Sequence, residues 1–235
     1  MNTNNLISVV MSCHNNESSI SSSIESILSQ SYENLELLIM DDNSEDKTYG
    51  IIKKYKANDN RVKIFQNDTN IGLTKSLNIL IKSSLGSYIA RQDADDISYK
   101  NRLEYQLNVL RKSSFDAHTT RAIIKNSQRV VPKYSIFLPN KFVAKFKNPF
   151  IHGTLLIKKS VLNDINLYDE NFYYAQDYKL FIDLLNNNYK IKNSRKVLYE
   201  LNTEDNISSK YRDEQKYYAK CAQNQIIPNV INSSD

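Results

Sequence analysis

The sequence predicts an α/β fold in which a mostly parallel central sheet carries helices on both faces. In the first half of the 235-residue chain, short runs containing β-branched apolar residues alternate with segments of helical period, as in repeated βα units. A polar cluster follows each of four apolar runs, at residues 13–17, 41–44, 67–72 and 93–96. Because the carboxyl ends of parallel strands meet at one sheet edge, we expect these clusters to line one ligand-binding crevice.

Eight elements are predicted for the first half. Each helix has apolar side chains three and four positions apart, which gives it one buried face. Asn43 and Ser44 are good N-cap residues for the second helix, and Gly86 is expected to end the third because glycine tolerates positive φ. The elements are strand 7–11, helix 19–30, strand 35–40, helix 45–56, strand 62–65, helix 73–85, strand 88–91 and helix 101–110.

The second half is less regular. Residues 113–149 show weak periodicity and contain three of the four prolines, so we expect irregular cover there. Order returns with an apolar run from Thr154 to Ile157, followed by a helix from Asp177. A strand at 190–201 and a helix at about 213–225 complete the prediction, with no boundary that divides residues 1–235 into two domains.

Composition excludes several classes of protein. No stretch approaches the roughly 18 to 20 apolar residues of a spanning helix, and the N-terminus lacks the pattern of a secretory signal, so we expect a cytoplasmic protein. Cys13 and Cys221 are far apart without C-x-x-C spacing, which indicates reduced thiols rather than disulfides or a zinc site. The net charge of +5 is mild, and no recognisable motif interleaves basic and aromatic residues, so no nucleic-acid partner is expected.

Three carboxylates, those of Asp93, Asp95 and Asp96, lie within four residues after the fourth predicted strand. Such a concentration of negative charge is costly unless a hard cation or hydrogen-bond donors compensate it. The cluster therefore predicts a divalent-cation site. The alternative is a solvated acidic turn in which Asp96 caps the next helix.

An ordered set of motifs resembles family 2 glycosyltransferases, which have the GT-A fold. The motifs occupy residues 6–17, 37–44, 70–78, 86–97, 102–106, 148–153 and 173–185. The resemblance implies a nucleotide-binding half at about 1–112, an acceptor-side half at about 113–203 and a polar, partly helical tail at 204–235. It also implies an inverting, metal-dependent transfer of a hexose or N-acetylhexosamine from a UDP-sugar to a hydroxyl of a saccharide or lipid-linked saccharide.

The resemblance assigns roles in the nucleotide half residue by residue. Ser12 and His14 would line the uracil slot, and Asp42 would hydrogen-bond the uracil imide. Asp95 would ligate Mn²⁺ or Mg²⁺ that bridges the diphosphate, and Asp93 would approach the ribose or the same metal. Further candidates for nucleotide-sugar binding are Asn15, Glu17, Asn70, Gly72 and Lys75.

In the second half, Asp177 matches the catalytic base of the family, and His152 matches a motif that would contact the diphosphate or the acceptor. Gln176 stands where the family usually has Glu. Each residue also has a structural alternative: helix capping for Asp42 and Asp177, a partly buried histidine, or a turn glycine. The competing function is a non-catalytic nucleotide-sugar binder with a decayed site.

Basic and aromatic residues between 141 and 159 predict peripheral contact with the anionic inner face of a membrane, where such enzymes serve capsule or lipopolysaccharide assembly. The alternative is a solvated basic face. The residues are Lys141, Lys145, Lys147, Lys158 and Lys159, around Phe142, Phe146 and Phe150.

Overall fold

Strands and helices alternate through the first half of the chain, as the periodicity predicts. In the computed structural model, which describes residues 5–203 and 211–229, these elements are β1 (Ile7–Cys13), α1 (Ile20–Leu28), β2 (Leu35–Asp41), α2 (Thr48–Asn58), β3 (Val62–Gln66), α3 (Leu73–Ser83), β4 (Tyr88–Arg91), β5 (Ile97–Ser98) and α4 (Arg102–Arg111). The order β3-β2-β1-β4, with every pair parallel, confirms the predicted parallel sheet. The four carboxyl ends therefore share one edge.

The second half extends the same sheet with strands of both directions. Its elements are β6 (Ala117–Ile124), β7 (Val130–Val131), α5 (Asn140–Val143), β8 (Leu156–Lys158), α6 (Lys159–Asp164), α7 (Gln176–Asn186), β9 (Ile191–Leu201) and α8 (Arg212–Asn224). The sheet continues from β4 through β8, β6 and β9 to β5, and only the β6–β9 pair of this extension is parallel. One sheet thus joins the two halves of the chain.

Residues 113–149, where irregular cover was expected, contain the eight-residue strand β6, so that expectation was wrong. Its sequence hid the strand because polar residues occupy buried positions that periodicity assigns to apolar ones. His118 Nε2 bonds the hydroxyl of Ser194 at 2.6 Å, and the backbone N–H of Thr120 donates to the hydroxyl of Thr154 at 3.1 Å. Hydrogen bonding inside the protein makes such burial tolerable.

Two expected helix ends are also corrected. Helix α2 begins at Thr48, four residues after Ser44, because Asn43 adopts a left-handed conformation with φ 62°. Helix α3 ends at Ser83, and Gly86 follows it without positive φ. Gly86 instead permits a close approach of two strands, since a Cβ there would lie 2.6 Å from the carbonyl oxygen of Leu6.

Apolar side chains fill two layers, one on each face of the sheet. Val9 packs with α1, α2 and α4, whereas Val10 packs with α3, α6 and α7, as the alternation of a strand requires. Helix α8 packs on α7 through an aromatic cluster that includes Phe172 and Tyr218. It confirms the helix expected at 213–225, while residues 204–210 and 230–235 of the predicted tail lie outside the described residues.

Both cysteines are buried free thiols, as expected. Within residues 5–203 and 211–229, no helix is long and apolar enough to cross a membrane.

Candidate functional site

The loop after β1 is fastened to the loop after β2. His14 is exposed at the crevice, and its Nδ1 lies 2.9 Å from the backbone oxygen of Asp42. The Asn15 side chain accepts a hydrogen bond from the Glu45 N–H at 2.9 Å, and the Glu17 carboxylate accepts one from the Lys47 N–H at 3.0 Å. Asn15 and Glu17 thus hold the two loops together.

Ser12 stands beside Met40 in the parallel register of β1 and β2 and is half-buried. It is the penultimate residue of β1, and the chain continues from there to His14 at the crevice. The strand end therefore places these two residues of the expected uracil slot at the same edge of the sheet.

Asp42 is buried, and its carboxylate organises the loop after β3. One oxygen accepts from the Asn67 side-chain amide at 2.7 Å and from the Ile71 N–H at 3.0 Å, and the other accepts from the Gly72 N–H at 2.8 Å. A carboxylate has about four acceptor positions, so three donors leave it one more. The contact of Asp42 with uracil stays a prediction, whereas its hydrogen bonds to residues 67–72 are present in the structure.

The loop after β3 meets the second half of the chain at Gly72. This glycine has φ 87° and caps α3, and a Cβ on it would lie 2.8 Å from a ring carbon of Tyr173. Tyr173 is about half exposed, and the charge of Asp42 contributes, after burial, to raising its pKa. Tyr173 therefore joins the Asp42 loop to the approach to α7, a role that the sequence had indicated only through the motif at 173–185.

The two remaining candidates of this loop region are exposed. The side-chain oxygen of Asn70 accepts from the Gly72 N–H at 3.1 Å and so supports the turn, and Lys75 lies in the first turn of α3.

Gly72→Ala should destabilise the protein by about 1 to 3 kcal/mol, because alanine disfavours this φ and its methyl group would meet the Tyr173 ring. The matched control is Gly50→Ala in α2, where a Cβ meets nothing within 4 Å. That change should stabilise the protein by up to about 1 kcal/mol, since alanine favours helix. Thermal unfolding measures both, and equal shifts in the same direction would show that position 72 carries no special constraint.

Three acidic residues after β4 occupy three different environments. Asp93 pairs with the buried Arg91, with Oδ1 2.5 Å from Nη2. Asp96 is buried and accepts from the Asn202 N–H at 2.7 Å, and burial followed by the charges of Asp93 and Asp95 raises its pKa. Asp96 is therefore not the cap of α4, whose N-cap is Asn101, so the capping alternative was wrong.

Asp95 is half-buried, and burial together with the charge of Asp93 raises its pKa to about 6. The ionised form of Asp95 is thus disfavoured by its surroundings, because burial and the charge of Asp93 outweigh the opposing charge of Arg91. A bound divalent cation would favour the ionised form.

The acidic turn rests on buried polar residues that lie in or near the family motifs but to which the sequence assigned no role. The side-chain amide of Gln92 donates to the backbone oxygens of Asp93 and Asp96 at 3.1 and 2.9 Å, and Arg102 donates to the backbone oxygen of Gly153 at 2.9 Å. The Tyr199 hydroxyl accepts from the Asp93 N–H at 3.1 Å. The available signals were a charged residue that ends an apolar strand, Arg91, and the place of Arg102 in the motif at 102–106.

Asp93 and Asp95 fit a cation that arrives with phosphate ligands. Among the described residues, no group of three or more histidine, cysteine or acidic side chains is placed to hold a metal ion. Mg²⁺ commonly uses one or two carboxylates together with substrate phosphates, rather than a complete cage of protein groups. The two carboxylates meet that requirement.

Asp177 lies in the first turn of α7, in the second half of the chain. Burial raises its pKa, hydrogen bonds from the Tyr178 N–H and from the Asn148 side chain, both at 2.7 Å, oppose the rise, and the charge of Asp93 adds to it. The N-cap of α7 is Ala175, in a left-handed conformation with φ 51°, so the capping alternative for Asp177 was wrong.

His152 lies in a short 3-10 turn that precedes β8 in the chain. Its Nε2 is 2.7 Å from the Tyr168 hydroxyl. Burial and the charge of Arg91 lower its pKa well below the usual range, which favours the neutral imidazole. The neighbouring Gly153 lies directly against the acidic turn, since a Cβ there would be 2.8 Å from Asp93 Oδ2. His152 thus supports the floor of the crevice beside the acidic turn.

The sequence profile of glycosyl transferase family 2 matches residues 8–181. A putative glycosyltransferase, EpsE from Bacillus subtilis strain 168, is 33% identical over 222 residues, which cover 90% of this chain and 78% of EpsE. WfgD from Escherichia coli, a UDP-Glc:alpha-D-GlcNAc-diphosphoundecaprenol beta-1,3-glucosyltransferase, is 32% identical over 184 residues, 78% of this chain and 71% of WfgD.

Among solved structures, S. aureus TarS 1-349 in complex with UDP-GlcNAc superposes with a TM-score of 0.73 at 22% identity. The match covers 87% of this chain and 60% of that TarS chain, so the protein spans less than two thirds of it. The likeness confirms the GT-A fold that the sequence implied.

Proposed function

The chain belongs to glycosyl transferase family 2, and from that premise we propose that it is an inverting, metal-dependent enzyme. Its donor would be a UDP-sugar that carries a hexose or an N-acetylhexosamine. Its acceptor would be a hydroxyl of a saccharide or lipid-linked saccharide in surface polysaccharide biosynthesis. The printed names of WfgD, which uses UDP-Glc, and of the TarS complex with UDP-GlcNAc support a uridine nucleotide as the donor.

One observation supports the proposal: the two halves of the chain are in contact at two of the loops that follow the parallel strands. Tyr173 packs on Gly72, and a Cβ on Gly153 would lie 2.8 Å from Asp93 Oδ2. After burial, the charge of Asp93 contributes to raising the pKa of Asp177, and the charge of Asp42 contributes to raising the pKa of Tyr173. Glycosyl transfer needs this arrangement, because the diphosphate leaves and the hydroxyl attacks at the same sugar carbon. The residues that act on these two groups must therefore lie close together.

Asp95, with Asp93, would hold the divalent cation through carboxylate oxygens. When bound, Mn²⁺ or Mg²⁺ neutralises the charge that develops on the departing diphosphate. Arg91 forms an ion pair with Asp93 and so fixes one oxygen of that carboxylate. His14 and Ser12 would line the base pocket, with Asp42 beneath it.

Asp177 would remove the proton of the attacking hydroxyl. Its raised pKa makes it a stronger base than an ordinary aspartate, and the Asn148 amide fixes one of its two oxygens. Gln176, the departure from the family pattern, lies beside it in α7 and does not replace it. The non-catalytic alternative is disfavoured because both Asp95 and Asp177 are present.

Screening UDP-sugars for UDP release tests the proposal. The purified protein should release UDP from one or more UDP-hexoses in the presence of Mn²⁺ or Mg²⁺, faster with a saccharide acceptor, and EDTA should abolish the release. UDP binding without release from any donor and acceptor pair would instead favour a decayed site. Release that EDTA does not affect would remove the metal from the proposal.

Metal-dependent UDP affinity should fall as the pH drops through about 6. The pKa of Asp95 is raised to about 6, and a carboxyl group must lose its proton before it can ligate a metal. Below that pH we expect a loss of about tenfold per pH unit, whereas an ordinary aspartate would cause one only near pH 4. Calorimetry with UDP and Mn²⁺ at pH 5 and 7 measures the change, and an affinity that is constant down to pH 4.5 would contradict it.

We also propose that the enzyme works in the cytoplasm at the inner face of a membrane when its acceptor is lipid-linked, as the acceptor in the printed name of WfgD is. The basic and aromatic set that suggested this contact needs revision. Phe150 is buried, Lys158 pairs with Asp116 at 3.0 Å, and Lys159 donates to the backbone oxygen of Ser84 at 2.6 Å. Exposed members of the set remain at Lys141, Phe142, Lys145, Phe146 and Lys147.

A further inference from the structure

The segment around α5 exposes apolar side chains in a region that contains no acidic residue. Between Asp116 and Asp164 the sequence has nine lysines and arginines and no aspartate or glutamate. Within that stretch, large apolar side chains are exposed to solvent. Tyr134 is 71% exposed and Phe146 is 69% exposed. We call this set the apolar strip, and it consists of Tyr134, Phe137, Leu138, Phe142 and Phe146.

Basic groups surround the apolar strip and touch its rings. The Arg195 guanidinium lies over the Phe137 ring at 4.5 Å, and the Lys133 ammonium lies over the Tyr134 ring at 4.9 Å. Phe142 and Phe146 meet edge to face at 5.4 Å, which keeps both rings at the surface. Further exposed cations of the same segment are Lys141, Lys145 and Lys147.

We infer that the apolar strip and its basic rim dock on an anionic lipid surface. Rings at the level of the headgroups and lysines against lipid phosphates are the combination that interfacial binding requires. A second copy of the chain fits less well, because a symmetric contact would bring the same positive patches together. The charge of the strip therefore selects a lipid surface over a homodimer.

The docking face is connected to the proposed base. The Tyr178 hydroxyl donates to the backbone oxygen of Ala144 at 2.7 Å, and the Asn148 side chain donates to Asp177. These bonds join both ends of residues 144–148 to the first turn of α7. The turn that carries Asp177 is thus bonded to the residues that flank Phe146 of the apolar strip, and docking would bring a lipid-linked hydroxyl towards it.

Co-flotation with vesicles tests the inference. The full chain should float with vesicles that contain about 30% phosphatidylglycerol at low salt and stay behind with pure phosphatidylcholine. Replacing Lys133, Lys141, Lys145 and Lys147 by Glu should weaken binding by more than about a hundredfold, since each basic group contributes about fivefold. A matched control replaces four exposed lysines away from the strip, Lys53, Lys54, Lys56 and Lys82, by Glu and should retain most of the binding.

A second variant probes the rings rather than the charge. Phe142→Ser with Phe146→Ser should lose the vesicle binding that survives at about 0.5 M salt, where surface charges are screened. The inference is overturned if the parent does not float with anionic vesicles, or if the two lysine variants lose binding equally.

The inference rests on the proposed function only for the lipid-linked acceptor. Vesicle binding needs no turnover, and transfer to a water-soluble saccharide needs no vesicle. An active enzyme that does not bind anionic vesicles would therefore contradict only the proposed docking face. An inactive protein that binds them would contradict only the proposed function.

Discussion

Asp177→Asn should reduce kcat for sugar transfer by about 10²- to 10⁴-fold, the range in which a general base contributes. The asparagine has the same shape and can keep the Asn148 contact in one amide orientation, but it cannot accept the proton of the attacking hydroxyl. UDP affinity should stay within about twofold of the parent, because Asp177 belongs to α7 and not to the loops after β1 and β2. Steady-state kinetics and UDP calorimetry on the same preparation measure the two effects.

Asp183→Asn is the matched control for this experiment. Asp183 lies in the same helix and bonds Lys179 at 2.6 Å, remote from the acidic turn, so the change should leave kcat within about twofold. Parental activity in Asp177→Asn would remove this residue from the role of base. A loss of UDP affinity equal to the loss of kcat would instead place it in nucleotide binding.

Asp95→Asn should remove the metal-dependent part of UDP-sugar binding, with a loss of about a hundredfold or more in the presence of Mn²⁺. An amide oxygen is a poor substitute for a carboxylate as the ligand of a hard cation, and the similar volume should leave the turn folded. Without metal, the parent and the variant should bind UDP equally weakly. Calorimetric titration of UDP with and without Mn²⁺ separates the two contributions.

Asp68→Asn, an exposed change in the loop after β3, controls for the loss of one negative charge near the crevice. It should leave the metal-dependent affinity within about threefold of the parent. If Asp95→Asn keeps the full effect of Mn²⁺ on UDP binding, the cation is held elsewhere, and the assignment of the acidic turn as a metal site is wrong.

The parallel half of the fold could be predicted because its strands and helices obey simple periodicities. Val9 and Val10 alternate between two apolar layers, as their strand pattern requires. Strand β6 could not be predicted in this way, since His118 and Thr120 are buried through hydrogen bonds that only the folded chain reveals. Periodicity detects apolar burial and misses polar burial.

The candidate site was likewise predicted only in part. The resemblance to family 2 assigned roles to Asp42, Asp95 and Asp177, and those roles stay predictions. The motifs did not indicate that the Asp42 carboxylate accepts three hydrogen bonds from the loop after β3, or that Tyr173 packs on Gly72. Such contacts join residues about 30 to 100 positions apart, and no local pattern encodes them.

Ala175 precedes the helix that carries Asp177 and holds a left-handed backbone conformation that alanine disfavours by about 1 kcal/mol or more. Glycine would accept the same bend freely, and it would also let the chain swing at that point. A methyl group limits the swing and fixes the direction in which the following turn sets out. The protein thus gives up a little folding free energy to fix the backbone direction ahead of Asp177, the proposed base.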